Sequence, residues 1–598
     1  MTFEFRTRRL PALACALLLA VAPAAAQEKV KSPAPPASET VAPSAPPEVT
    51  VEIPEITAEG STLDADAIRD ILTNGNVAGH AEGLATLDAD RIVIPQVLVS
   101  VTVPDSPEAS MDFVYSDVEL SGVSGGIAAN ATIGGISSTG AEEFTMQFGA
   151  MSAADFDIGA ILAFYGLVPS GADTGFKTLY RNLSFEGGTM EGDGMSCDIG
   201  GASAEEFRAR PLETPITDLM ALAGEMEAAG DEPPPQLISR FLVMYADMIT
   251  AFESTPVTFE GMSCEGATEE GEPLSFSVGQ MNIDGFSPGT YPQISVSDIS
   301  VTMEGAEAGT FSIGEMVLKS FDFSEQVELL RSVPENVDES WFEANARSLI
   351  PAFEGFSLSG IDFDIPDPEN PGQRITASVG AFDVSLANYV NGIPATIDSS
   401  ASNIIVDLPA DSGDPQLQQL IDAGVDRLDL GFNLSLAWDE ASETIAVNDV
   451  TFEGANLATI KLAGTVGNAV AELFSADTTA ASMAGLGVTL KDVRLDITDA
   501  GLTDILLGLA GAEQGMDAAS MRPMMAGVAE GMVMSLLGGD EQASSVGSAI
   551  AEFVRGGTSL SLTATALDQA GLSLFELMAA QNDPTTLLSK VKIDAVSQ

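Results

Sequence analysis

Two segments, ISVSDISV (residues 294–301) and FSIGEMVL (residues 311–318), carry the pattern on which the predicted fold depends. In each segment, a pair of alternating apolar residues is followed by one extra residue and then by a second alternating pair. Because strand side chains alternate between the two faces of a sheet, the extra residue would turn the second pair to the opposite face. A β-bulge removes this conflict, since two residues of one strand then oppose a single residue of its neighbour. The pattern therefore predicts bulges at Asp298 and Gly314.

With these bulges, Val296 and Ile299 lie on the same buried face of the sheet, as do Ile313 and Met316. Burial of a large apolar side chain contributes about 1.5–3 kcal/mol to stability. One missing ladder hydrogen bond costs only about 1 kcal/mol. The alternative is that each segment forms two short strands whose apolar pairs face different layers.

The same pattern recurs along the chain, with Asp or Gly at the irregular position. Both residues tolerate unusual backbone dihedral angles. Further copies are found at residues 113–120, 356–363, 445–452 and 488–495, and copies with Gly at the break are found at 146–151, 276–281 and 377–382. Successive copies are close enough to form hairpins, and a bulged antiparallel sheet twists and curls.

Between these segments lie stretches whose apolar residues keep helical spacing on one side. The predicted helices are 216–226, 238–252, 324–332, 341–350, 415–425, 502–509, a broad block in 521–554, and 574–580. We therefore predict a β-rich α+β fold. Repeated bulged antiparallel hairpins would form one or two long curled sheets, with amphipathic helices packed on the concave face.

The N-terminus is typical of a bacterial signal peptide. Three arginines within the first nine residues precede an apolar run over residues 10–22, and the small residues 24–26 end at Ala26 before Gln27. This combination predicts cleavage between Ala26 and Gln27 after export. No later segment of the mature chain is apolar enough to predict a membrane span.

Composition predicts three further regions. Residues 27–57 are rich in proline and predict a flexible tether. Residues 58–412 would form a first region of β-hairpins and helices, and residues 413–598 a second β/α region with methionine-rich helices. The six methionines between Met516 and Met534 are typical of helix core, although methionine surfaces also adapt to apolar partners.

The charge of the chain excludes one class of function. It has 88 acidic and 24 basic residues, a net charge of −64, yet 45% of its residues are hydrophobic. Nucleic acid and anionic membrane surfaces repel such a protein. The hydrophobic content is too high for a disordered chain. We therefore expect a folded protein with an acidic surface and no nucleic-acid partner.

Two cysteines remain after signal cleavage, Cys197 and Cys264. Each lies in a strand-like context and follows a Met-Ser dipeptide, and export would bring both to an oxidising compartment. Such a pair predicts a disulfide. Free buried thiols, or bridges to another chain, are the alternatives. Two thiolates alone lack the further ligands that zinc needs.

No catalytic, cofactor or metal site is predicted. The single histidine, His80, stands in a glycine-rich stretch that predicts a turn, and no nucleophile motif accompanies it. Acidic pairs that could attract calcium lack a complete binding loop and are interpreted as solvated hairpin tips. These pairs are Asp64 with Asp66, Asp88 with Asp90, and Asp362 with Asp364, the last followed by Asp367 and Glu369.

The C-terminal stretch LFELMAAQNDPTTLL (residues 574–588), following the bulged hairpins, resembles uncharacterised exported proteins of alphaproteobacteria. The resemblance implies a location in the bacterial envelope and no particular activity or site residue. It extends over most of the mature chain.

Two classes of function remain. The first is a non-enzymatic protein of the periplasm or envelope, secreted or retained, whose curled sheet binds an apolar, lipid-like ligand or a partner protein in a groove. The alternative is a carboxylate-dependent hydrolase of the envelope. The single histidine and the poverty of aromatic residues, with two Trp and six Tyr, favour the first. A continuous apolar groove open to solvent would support binding, whereas two buried coupled carboxylates would favour hydrolysis.

The mature protein is expected to begin at Gln27, because residues 24–26 form the well-placed small-residue cleavage site. N-terminal sequencing of the protein from the envelope fraction measures this directly. A chain that retains Met1, or one that starts at a lipidated Cys15, would contradict the prediction.

Overall fold

The structure is a computed structural model, and it describes residues 48–102, 110–140, 144–169, 174–192, 194–229, 233–268, 271–305, 308–367, 373–408, 415–512, 515–539, 541–580, 583 and 585–598. The expected signal peptide (residues 1–26) and its cleavage site at Ala26 and Gln27 lie outside these residues. So does most of the expected tether. Its last part differs from the expectation, because residues 48–52 already pair with another strand.

The first half of the described chain is rich in short strands. They are β1 (Glu48–Glu52), β2 (Thr57–Glu59), β3 (Ala89–Thr102), β4 (Met111–Ser124), β5 (Ile127–Ile133), β6 (Gly135–Gly140), β7 (Thr145–Phe148), β8 (Met151–Asp157), β9 (Lys177–Phe185), β10 (Gly188–Gly192), β11 (Met195–Ile199), β12 (Ala202–Ala209), β13 (Phe252–Ser254), β14 (Val257–Phe259), β15 (Met262–Ala267), β16 (Pro273–Val278) and β17 (Met281–Ile283).

The second half contains most of the long strands. They are β18 (Thr290–Tyr291), β19 (Ile294–Met303), β20 (Gly309–Leu318), β21 (Phe321–Asp322), β22 (Ala352–Phe353), β23 (Gly355–Pro366), β24 (Arg374–Val390), β25 (Ile393–Asp407), β26 (Arg427–Asp439), β27 (Thr444–Gly454), β28 (Ala458–Gly467), β29 (Thr489–Asp499), β30 (Ser559–Ala566), β31 (Leu572–Ser573) and β32 (Val591–Ser597).

Helices connect some of these strands. They are α1 (Ala65–Asn74), α2 (Val77–Ala85), α3 (Ile158–Phe164), α4 (Ile216–Ala229), α5 (Pro235–Met248), α6 (Ser324–Arg331), α7 (Glu339–Asn345), α8 (Pro415–Asp422), α9 (Thr478–Gly487), α10 (Leu502–Ala512), α11 (Ala518–Leu536), α12 (Glu541–Val554), α13 (Leu574–Ala580) and α14 (Thr585–Leu588), with a 3-10 turn at Ala471–Phe474. Within the described ranges, no helix has the length and hydropathy of a membrane span.

One large curled antiparallel sheet contains all of these strands except β18, β21 and β22, which form a small sheet of their own. From β19 onward each long strand pairs with the next long strand, through β20, β23 and so on to β29, β30 and β32. The predicted β-rich α+β fold is confirmed. The sheet also continues across the region boundary expected at residues 412 and 413, because β25 pairs with β26.

A line of irregular residues crosses the sheet from strand to strand. At this level of β19, β20, β23, β24 and β25, one residue of each strand is skipped in the ladders that join these strands, and the register resumes directly beyond it. In the first half of the described chain the strands end at this level and a new strand begins beyond it, as β7 is followed by β8. We call this line the crease, and it comprises Asp117, Gly134, Gly149, Gly187, Gly200, Gly261, Gly279, Asp298, Gly314, Gly360, Gly380 and Asn403.

The irregular steps predicted at Asp298 and Gly314 are present, but they are not bulges in which two residues oppose one, because Asp298 stands directly opposite Gly314 and the register is unshifted. Val296 pairs with Met316 and Ile299 with Ile313, while Asp298 takes a φ of 52°. The expected burial is also wrong in degree: Val296, Ile299 and Ile313 are half-buried, and Met316 is exposed.

Contacts across the crease show that apolar side chains on its two sides share a face. The rings of Phe148 and Phe185 are 5.7 Å apart across it, and Leu490 and Val493, on the two sides of the irregular step in β29, line one cavity.

Other copies of the pattern differ from the prediction. At residues 149 and 279 the strands end instead of bulging, because two consecutive residues leave the ladder there. In segments 445–452 and 488–495 the register shifts as the predicted bulge requires, but the extra residue is the one before the aspartate, Asn448 and Lys491 respectively. The sequence pattern therefore located the irregularity to within one residue without fixing its form.

The helices follow the strands at their two ends. Because neighbouring strands are antiparallel, the register places α1 to α7, α9, α13 and α14 at one end of the strands and α8 and α10 to α12 at the other end. Every predicted helix is present, with ends shifted by a few residues and with α11 and α12 dividing the broad block. The helices α1, α2, α3, α9 and α14 were missed. Of these, α2 and α9 are rich in alanine and glycine and show weak periodicity.

Buried side chains form small clusters beside the helices rather than one central core. One cluster joins α5 and α6 through Ala246, Val327 and Leu330, with the Trp341 side chain packed against it. Within strands β19–β29, the apolar side chains that are buried all belong to alanines: Ala395, Ala401 and Ala458. The larger apolar side chains of these strands are half-buried or exposed.

The predicted disulfide is present. Cys197 of β11 and Cys264 of β15 are directly opposite each other in an antiparallel pair, with 4.0 Å between their Cα atoms. Both side chains are buried. The bridge closes a loop that contains α4 and α5.

Replacement of Gly261 by Ala tests the crease. Gly261 has a φ of +90°, and an added Cβ would come within 1.5 Å of the carbonyl oxygen of Gly279. We expect the free energy of unfolding to fall by roughly 3 kcal/mol, the sum of backbone strain and overpacking. Gly194→Ala is the matched control, because Gly194 also has positive φ but open space around it. Urea unfolding of both variants should separate them, and equal losses would refute close packing at the crease.

The disulfide should leave no free thiol in the mature protein. Thiol titration of the unfolded, unreduced protein is expected to give none, and two thiols per chain would contradict the bridge. The double variant Cys197→Ala/Cys264→Ala should lose about 4 kcal/mol of stability by the chain-entropy estimate for a loop of this length. Urea unfolding of the variant, compared with the oxidised protein, measures this loss.

Candidate functional site

One face of the sheet is apolar from β7 to β30. Because directly paired residues of an antiparallel sheet share a face, the register traces rows of side chains across the strands. One row runs from β19 to β30 through Val296, Met316, Leu358, Phe382, Ala401, Phe432, Phe452, Ile460, Ile497 and Leu560. We call this surface, in all strands, the apolar face.

The first half of the sheet continues the apolar face. A second row crosses from β7 to β23 through Met146, Met190, Cys197, Cys264, Phe276, Val301, Phe311 and Phe363. The disulfide is therefore part of the apolar face. It joins two neighbouring strands at about the middle of the sheet.

The opposite face carries mainly serine, threonine and acidic side chains. Several of its basic residues are paired across strands, as Lys319 is with Asp383 at 2.7 Å and Lys461 with Asp449 at 3.1 Å. The hydrogen bond from Thr451, with others from Asn433 and Lys461, lowers the pKa of Asp449. The two faces thus differ sharply in chemistry, although both belong to a single layer of strands.

The apolar face is open to solvent over the long strands. Phe452 is 59% exposed, and the exposed fractions of Phe311, Met316, Ile460 and Leu462 are all close to 37%. An antiparallel sheet normally packs such a face against a core. A large exposed apolar patch on a folded protein is typical of an interaction site.

His80 does not form a site. It lies in helix α2 and not in a turn, which corrects the expectation from its glycine neighbours. Its Nε2 atom is 3.4 Å from Oδ2 of Asp70, and hydrogen bonds from Asn74 and Asn76 are the main cause of the lowered pKa of Asp70. The pair lies on the partly exposed surface of two short helices.

The acidic pairs serve local structure. Asp64 accepts a hydrogen bond from the backbone N–H of Ala67 and caps α1, while Asp66 pairs with Arg69. Asp88 accepts from the backbone N–H of Gly125, and Asp364 pairs with Arg374. Glu369 lies outside the described residues. Among the described residues, no group of three or more potential metal ligands comes together.

The described part of the chain buries a single carboxylate, that of Asp247. It pairs with Arg210 at 2.7 Å and accepts a hydrogen bond from the backbone N–H of Glu213. These contacts attach α5 to the segment that follows β12. Paired carboxylates of a hydrolase would need a second carboxylate close by, and Asp247 has a guanidinium there instead.

A pocket of about 520 Å³ lies between α2 and α3. Its lining includes Glu82, Asp157 and Lys177 among small apolar residues. Asp157 caps α3 by accepting from the backbone N–H of Ala160, so its carboxylate is engaged in holding the helix.

The methionine-rich block divides between core and surface. Met521 is buried, whereas Met524 and Met532 of the same helix are exposed. The sequence prediction of helix core is therefore correct for only part of the block. Helical spacing could have revealed this, because Met524, Val528 and Met532 lie four residues apart on one side of α11.

Comparison with known proteins gives one partial match. A family model described as "Uncharacterized protein" matches residues 451–598, from within β27 to the C-terminus. None of the curated proteins matches the chain. The matched part comprises the last strands of the sheet and the helices that cover them.

Proposed function

We propose that this protein is a non-enzymatic protein of the bacterial envelope that binds apolar, lipid-like molecules along the apolar face of its curled sheet. The observation that carries the proposal is the unbroken run of apolar side chains across consecutive strands, open to solvent at Phe452, Ile460 and Leu462. A bound apolar chain would bury this surface, and such burial contributes about 25 cal/mol per Å².

The chemistry of the face favours an apolar ligand over a polar one. Its rows contain aliphatic, methionine and phenylalanine side chains with almost no hydrogen-bonding groups. A sugar or a nucleotide placed there would lose hydrogen bonds to water without replacement, at a cost of about 1–3 kcal/mol for each group. A hydrocarbon chain has no such requirement.

The location rests on separate support. Disulfides persist mainly in oxidising compartments, and the Cys197–Cys264 bridge is typical of a protein outside the cytoplasm. Export by the N-terminal signal peptide would deliver the protein to the periplasm, where lipids pass between two membranes. No feature of the described residues supports the alternative function, hydrolysis.

Substitution on the two faces tests the proposal. The variants Phe452→Asn and Ile460→Asn place amides on the apolar face, whereas Thr451→Asn alters the opposite face beside them. Lipids extracted from the natively purified protein are identified by mass spectrometry, and rebinding of a fluorescent fatty acid is measured. We expect copurifying lipid in the wild type and at least tenfold weaker rebinding for the first two variants only, because the buried amides lose hydrogen bonds.

The same experiment can contradict the proposal in two ways. Purified protein that carries no lipid and binds no fatty acid would overturn it. A partner protein recovered in place of lipid, and released by Phe452→Asn, would assign the apolar face to protein binding.

A further inference from the structure

Helices from opposite ends of the strands meet over the last strands of the sheet, β29, β30 and β32. Helix α11 comes from one end of the strands, and α13 and α14 come from the other end. The end of α11 lies next to the start of α14, since a Cβ built on Gly538 would be 3.5 Å from Cγ2 of Thr585. The apolar face is therefore roofed here, whereas it is open over β27 and β28.

A partly open cavity of about 220 Å³ lies beneath the roof. Its floor is the apolar face of the last strands and includes Val493, Ala564 and Ile593, which are directly paired in one row. Its roof includes Leu577 and Leu588. All lining residues except Lys491 are apolar.

The cavity is large enough for part of a hydrocarbon chain. An apolar cavity of about 150 Å³ in another protein stays dry and binds benzene, and this one exceeds that volume. The two floor alanines, Ala564 and Ala566, leave the space that larger residues would fill. Water gains little there, because a water molecule needs two to four polar partners.

The floor of the cavity continues into the open part of the apolar face. Val493 pairs with Gly464 of β28. Because Gly464 has no side chain, it leaves the apolar face open between the cavity and β28. Beyond it, Leu462 of the same strand is 37% exposed. A chain that ended in the cavity could therefore extend across β28 and β27 without crossing a polar group of the face.

The segment that forms the roof is fastened at both ends. Lys590, after α14, donates to Glu576 of α13 at 2.6 Å, and Ser573 donates to the same carboxylate through its backbone N–H and its hydroxyl. The hydrogen bond from Lys590, together with those from Ser573, lowers the pKa of Glu576 to about 2. The roof is thus held as a separate unit beside the last strand.

We infer that this cavity is the end-stop of the lipid site, and that it receives the terminal methyl end of a single unbranched acyl chain whose carboxyl end lies over the open strands. The inference rests on the proposed function and goes further, because it fixes the position and direction of one ligand. An acyl chain fits since its terminal segment carries no polar atom.

Photo-crosslinking of the full mature protein tests this inference. The probes are two palmitic acid derivatives, one with a diazirine at the terminal carbon and one with a diazirine near the carboxyl group. We expect the first to label peptides within residues 560–593 and the second to label peptides within 444–467. Mass spectrometry locates the labels.

Cavity-filling variants complete the test. Ala564→Phe should abolish labelling by the terminal diazirine and weaken binding at least tenfold. Ala463→Phe, on the opposite face of β28, should change neither. Thermal unfolding shows whether Ala564→Phe is folded, and if it is not, Leu588→Trp fills the cavity from the roof and takes its place.

The outcomes separate the two proposals. Fatty acid that binds but labels only the open strands, with binding unchanged in both cavity-filling variants, overturns the end-stop and leaves the proposed function in place. Fatty acid probes that neither bind nor label any part of the protein overturn both.

Discussion

Backbone atoms of neighbouring strands approach one another along the crease more closely than a Cβ atom would allow. Glycine stands opposite a carbonyl group or opposite the Cβ of an aspartate or asparagine, as Gly279 does with Asp298 and Gly380 with Asn403. Hydrogen bonds such as that from Gly279 to the carbonyl of Ser297 keep these backbone groups paired. The irregular step therefore passes from strand to strand as one continuous feature.

Without the crease, the two halves of each strand would present opposite chemistry on each face. With it, all apolar pairs lie on one side and the serine, threonine and acidic residues on the other. The sheet thus remains a single layer that is apolar on one side over many strands. Its stability comes from cross-strand pairs, from clusters beside the helices and from the disulfide, which replaces one cross-strand contact of the apolar face by a covalent bond.

A single layer with one apolar face has to be covered or remain exposed. At the C-terminal end the protein covers it with its own helices, and a cavity remains between helices and strands. Over β27 and β28 nothing of the described chain buries side chains such as Phe452. The contrast between a roofed end and an open stretch on the same continuous surface gives the proposed ligand site its direction.

The sequence by itself determined the strand segments, most helices, the disulfide and the levels of the irregular steps. These features follow from local periodicity, from glycine and aspartate at irregular steps, and from a pair of cysteines in matched strand contexts. Residue spacing within each segment predicted that Val296 and Ile299 share a face, with two short strands facing different layers as the alternative. It also left His80 without a chemical role, although the structure places this residue in a helix.

Only the tertiary structure decided how these parts combine. The alignment of Val296, Met316, Leu358 and Phe382 in one row depends on the register between strands, and register is set by turns and bulges acting together over the whole sheet. The continuity of the sheet across residues 412 and 413 depends likewise on the pairing of β25 with β26. The contact of α11 with α14 over the last strands could not be derived from periodicity, because these two helices leave the sheet at opposite ends of its strands.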